Sequence, residues 1–146
     1  MFSKTLVQIF ERDLLLLKKE IESYPDENKL WVVKDGITNS AGNLCLHLAG
    51  NLNHFIGFAL GNTGYARNRD LEFSAKNIPV KDLAQSIDAV IDVVKKSLGS
   101  LSDEDLKKNF PLEKHGETVT TYFMLLHLVT HFNYHLGQIN YHRRLL

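Results

Sequence analysis

The chain is poor in the residues that several alternative architectures depend on. Its 146 residues include one cysteine, Cys45, so no internal disulfide can form and a reducing compartment is expected. The three prolines, Pro25, Pro79 and Pro111, leave long stretches free to run as uninterrupted helix. No window approaches the ~18 consecutive apolar residues of a membrane span. Charge of one sign is also missing, because 17 Lys and Arg balance 17 Asp and Glu. Without a basic surface to displace counterions, neither nucleic acid nor an anionic membrane is expected as the main partner. The N-terminal Met1-Phe-Ser-Lys-Thr leads into an amphipathic segment with Glu11, Arg12 and Asp13. It has no signal-peptide core or cleavage site, so a cytoplasmic protein is expected.

The most telling absence is local. From Thr118 to Leu146 there is no Asp or Glu, although four histidines fall in that stretch. A His-Glu-x-x-His zincin and a Glu-x-x-His di-iron bundle are therefore both excluded. A Gly-rich phosphate loop and a Gly-x-Ser-x-Gly nucleophile elbow are absent too.

Apolar residues at 44% and charged residues at 23% fit a soluble globular chain, and the length fits a single domain over 1–146. Helical periodicity dominates. Ser3 is placed to cap a first helix carrying Leu6, Ile9, Phe10, Asp13, Leu14, Leu17, Ile21 and Tyr24 before Pro25. Residues 25–39 read as a loop with Trp31-Val32-Val33 as a short extended piece. A second helix runs from about Ser40 to Leu60 and stops at Gly61-Asn62. The polar connection 62–79 is too long for structureless chain in a compact domain and is expected to be ordered. A third helix opens near Pro79-Val80 with Leu83, Ile87, Val90, Ile91, Val94 and Leu98 on one face. Ser102 caps a short extra helix near 102–108, and a fourth long helix starts at about Thr120. This pattern predicts an all-α four-helix bundle. Helices two and four are apolar on several faces, which predicts a homodimer that covers them.

His127, His131 and His135 recur every four residues. At about 100° per residue they form one stripe, and adjacent members are one turn apart, close enough to share an ion. His127 and His135 are about 12 Å apart along the axis and cannot share one. Gly137-Gln138 after His135 favours the 131–135 pair, with Gln138 able to support it by a hydrogen bond. A third ligand must come from elsewhere, and the second helix offers His47 and His54, about 10 Å apart in height. Spacing prefers His47 only slightly. Asn51, one turn on from His47, is a candidate supporting group. Asp13, inside the apolar stripe of helix one, either orients a ligand histidine, acts as a base, or is a buried acid with a structural partner. His115 in a turn and His142 near the C-terminus read as solvent-facing.

His131-Phe-Asn-Tyr-His135-Leu-Gly-Gln138, His47-Leu-Ala-Gly50-Asn51-Leu and Arg67-Asn-Arg69-Asp70-Leu-Glu72-Phe73 together resemble the DinB-like superfamily of metal-binding helical bundles. They look like one uncharacterised branch of it, grouped under a domain of unknown function, and the similarity covers nearly the whole chain. The resemblance implies an up-down-down-up bundle, often dimeric, and a divalent metal held by His47, His131 and His135 with His127 as neighbour. That assignment resolves the choice between His47 and His54. Zinc or nickel is the implied ion, with manganese or iron as alternatives. The implied chemistry is metal-dependent hydrolysis or transfer on a small substrate, with water or a small-molecule thiol as nucleophile. The alternative is a non-catalytic metal- or ligand-binding dimer. Arg67 and Arg69 in the connection would either touch substrate or lock the loop by salt links.

Overall fold

The computed structural model describes residues 1–146 and is all-helical. Four helices of twelve or more residues carry the core: α1 (Phe2–Glu22), α2 (Ala41–Leu52), α4 (Val80–Gly99) and α6 (Thr121–Leu145). Two shorter ones, α3 (Arg69–Ser74) and α5 (Asp103–Lys107), lie in the connections. Between Asn109 and Thr120 the backbone makes isolated β-bridges only.

The apolar positions that recur every three or four residues face inward. Leu6, Phe10, Leu14, Leu17 and Ile21 of α1 meet Leu83, Ile87, Val90, Val94 and Leu98 of α4, all almost fully buried. Leu44, Leu48 and Leu52 of α2 and Leu125, Leu128, Phe132 and Ile139 of α6 belong to the same continuous core. Each such side chain contributes roughly 1.5–3 kcal/mol on leaving water. α6 packs against both α1 and α2, and α2 also contacts α4.

Several local expectations are corrected. Ser3 does not cap α1; it is buried, and its hydroxyl donates to the Leu101 carbonyl at 2.9 Å. The start of the helix is instead met from a distance, as Asp103 Oδ1 accepts from the Met1 amine and the Phe2 amide. Trp31 closes a 3₁₀ turn, Glu27–Trp31, whose N-cap is Asp26, so it is not part of an extended piece. α2 does not continue as plain α-helix but widens into a π-helical stretch, Asn53–Phe58, before a last turn, Ala59–Gly61. Asn62 then ends it in the left-handed conformation, φ 52°.

The largest difference concerns α2. Eleven of its twelve residues are buried within this one chain, so no second subunit is needed to cover it. The cover comes from Trp31 against Gly42 and from Glu72 and Phe73 of α3 against Gly50 and His47. On α6 Tyr122, Phe123 and Leu126 do stay exposed.

Gly42 lies under the Trp31 ring so closely that an added Cβ would collide with it. Gly42→Ala is expected to lower stability by about 1–3 kcal/mol through this overpacking. Urea denaturation followed by the single tryptophan would record it, and an unchanged midpoint would show that the contact is loose.

Candidate metal centre

α2 and α6 converge on three imidazoles. One ring nitrogen from each of His47, His131 and His135 lies within 4.8 Å of the others. His47 Nε2 and His131 Nε2 are 3.2 Å apart, close to the ~3.3 Å that separates two nitrogens around a tetrahedral ion at zinc–nitrogen distances. His47 is buried, and the other two are half-buried.

The far side of two rings shows which nitrogen faces the centre. His47 Nδ1 donates to Glu72 Oε1 at 3.0 Å, and His135 Nδ1 donates to Gln138 Oε1 at 2.7 Å. Each bond fixes the tautomer that leaves the Nε2 lone pair free, the arrangement found behind metal-ligating histidines. The donor set and its outer partners fit a divalent ion. Charge does as well: burial lowers the His47 pKa, and Glu72 offsets this only in part. Burial, then the neighbouring imidazoles, push His131 down to about 4, so that ring is neutral at pH 7.

Glu72 is the residue that reading the sequence missed. It is buried, and Arg67 grips it with Nε on Oε2 at 2.9 Å and Nη2 on Oε1 at 3.0 Å. Asn43, one turn before His47, donates to the backbone carbonyls of Glu72 and Ala75 and so holds the end of α3 against α2. Gly50, one turn after His47, has no room for a Cβ because the Glu72 carboxylate fills it. The signal was there in outline: Asn43, His47 and Gly50 share one face of α2, and an acid with an arginine five residues before it sits in the connection.

The remaining candidates separate clearly. Gln138 serves His135. Asn51 is buried but does not hold His47; its Oδ1 has no hydrogen-bond partner, and neither has His131 Nδ1. His127 is half-buried, with its ring centroid 6.3 Å from that of His131, and stands outside the group of three. Arg67 supports the centre through Glu72, whereas Arg69 is exposed and lies over the Phe73 ring, 5.1 Å from its centroid. His54 belongs to the π-helical stretch and packs on Phe55 and Phe58. Asp13 makes no bond to a ligand histidine, since Arg12 Nε occupies Oδ1 and Asn133 Nδ2 occupies Oδ2. His142 is not solvent-facing but buried, with Nε2 donating to the Val32 carbonyl and Nδ1 accepting from the Tyr24 hydroxyl at 2.6 Å. His115 is exposed in its turn, with φ 50°. Cys45 is buried, and burial raises its thiol to about 12, which makes it inert.

The depressed His131 has a measurable consequence in the metal-free protein. Its unfolded ring titrates near 6.5 and its folded ring near 4, so between these values the unfolded chain binds more protons. The stabilisation is complete above about pH 6.5 and is lost as pH falls through about 4. Denaturation of metal-free protein from pH 7.5 to 4 is expected to show this decline, with a shallower slope in His131→Asn; equal slopes would contradict the assignment.

A family model described as a protein of unknown function (DUF1572) matches residues 2–146, and the chain belongs to that family. No curated protein matches it. No helix is long and apolar enough to cross a membrane.

Proposed function

We propose that this member of the DUF1572 family is a metal-dependent enzyme of DinB-like type, a single-domain four-helix bundle that binds one divalent ion through His47, His131 and His135. The observation that carries this reading is the pair of outer hydrogen bonds, Glu72 to His47 and Gln138 to His135, which turn two Nε2 lone pairs toward a common point. The packing of α1 on α4 and α6, and of α2 on α6 and α4, supports the bundle. Three neutral nitrogens suit zinc or nickel better than the harder, oxygen-seeking ions, with manganese or iron as alternatives.

When bound, such an ion keeps its double charge and supplies Lewis acidity that activates water or a thiol for hydrolysis or transfer on a small substrate. The chain's own residues do the rest. Glu72 accepts the His47 Nδ1 proton and makes that imidazole a better donor, while Arg67 keeps the buried carboxylate compensated. Gln138 performs the same service for His135 from one turn away on α6. A non-catalytic metal-binding role is the second reading, favoured by one observation: no carboxylate joins the group of three, and those of Glu72 and Asp13 are already engaged.

Alanine at His47, His131 or His135 is expected to abolish stoichiometric metal binding, whereas His54→Ala keeps it and costs only stability. Glu72→Gln is expected to weaken affinity by about 10–100-fold. Metal analysis of tag-free protein after supplementation with zinc or nickel decides this; normal metal in His135→Ala would refute the ligand set.

The homodimer proposal now rests on α6, where Tyr122, Phe123 and Leu126 remain exposed beside the Phe2–Tyr122 ring stack. Sedimentation at micromolar concentration is expected to show a dimer that Phe123→Glu dissociates. A wild-type monomer would remove the proposal.

A further inference from the structure

A cavity of about 810 Å³ opens between loop 34–39 and the C-terminal half of α6. His135 and Gln138 both stand in its wall, so it borders the histidine centre directly. Its volume falls within the usual range for small-molecule pockets. A second observation comes from α6 itself. Tyr134, Gln138, Tyr141 and Leu145 follow one another at intervals of four, three and four residues, which sets them on one helical face. All four line the cavity. The three apolar members are the most exposed large hydrophobic side chains of the helix, at 66% for Tyr134, 62% for Tyr141 and 76% for Leu145.

Across from this stripe the loop contributes Ile37, and α2 contributes Leu44. The charged side chains of the wall, Lys34 and Asp35, are opposite in sign, adjacent and exposed on the loop, so these two offset each other. Gln138 gives its Oε1 to His135, which leaves its amide NH₂ free to donate. Apolar walls, the Gln138 amide and one histidine of the centre at the margin form a specific combination.

We propose that this cavity is the substrate pocket of the centre and that it takes an aromatic carboxylate. The aromatic body lies against Tyr134, Tyr141 and Leu145, where offset or edge-to-face ring contacts are available. The carboxylate points to His135, accepts a hydrogen bond from the Gln138 amide and ligates the ion. The part played by the carboxylate rests on the metal reading given above, whereas the part played by the stripe does not.

The test uses full-length protein, zinc-loaded and metal-free, with 2-naphthylacetate as probe. Acetate is the head-only control and 2-naphthylmethanol the body-only control, with binding followed by NMR shifts and zinc content measured in parallel. Zinc-loaded protein is expected to bind 2-naphthylacetate at least about tenfold more tightly than either control. Tyr141→Ala, at an exposed position outside the centre, should reduce that affinity about fivefold or more with zinc content unchanged. If zinc loads but the naphthyl group brings no gain, or Tyr141→Ala has no effect, the pocket is overturned and the metal centre stands. If zinc does not load, the metal reading falls and the carboxylate's role with it; the aromatic stripe then stands only if 2-naphthylmethanol shifts Tyr134 and Tyr141 in the metal-free protein. A dimer that shields the stripe and excludes all three probes would overturn the proposal as well.

Discussion

The arrangement depends on one buried carboxylate. Glu72 sits beneath the surface where an isolated charge would be prohibitively costly, and three neighbours make that position tenable. Arg67 supplies opposite charge in a two-point grip, His47 supplies a ring N–H, and Gly50 supplies the empty volume. Removing any one would leave a buried charge or a steric clash, so α3 is held against α2 through Glu72. That binding gives His47 its orientation. A histidine on a helix has several rotamers open to it, and the Glu72 bond selects one that turns Nε2 toward α6.

The other half of the centre needs less support because its geometry is helical. His131 and His135 come from consecutive turns of α6, so their spacing follows from the backbone alone. What the helix leaves undecided is which nitrogen of each ring faces inward. Gln138 decides this for His135; His131 has no outer partner, and its neutrality comes from burial first and then from its three imidazole neighbours. Neither ring is hydrogen-bonded to a carboxylate. The same surface of α6 continues past His135 into the tyrosine-lined cavity.

The helices and two of the three converging histidines were legible in the sequence because both rest on short-range periodicity. The 3.6-residue repeat of Leu83, Ile87, Val90, Val94 and Leu98 leaves little alternative to an amphipathic helix, and all five are buried. The serine and threonine caps at Ser40, Ser102 and Thr120 act as local rules expect. Ser3 fails because Asp103, a hundred residues away, meets the Met1 amine and the Phe2 amide and leaves the hydroxyl for Leu101. His142 was misplaced for the same kind of reason: its burial is set by Tyr24 and Val32, neither of which lies near it in sequence. The π-helical turn at Asn53–Phe58 has no local sign at all.

By itself, therefore, the sequence determined the helical class, the boundaries set by Pro25, Pro79 and Pro111, and the pairing of His131 with His135, since each follows from interactions within about two helical turns. Tertiary structure alone decided that Glu72 stands behind His47, that Asn51 does not, that Asp13 belongs to Arg12 and Asn133, and that α2 is covered by its own chain. Each of these depends on which side chains meet across a fold, and a buried charge or hydrogen bond takes whatever partner packing brings within 3 Å, however far along the chain that partner lies.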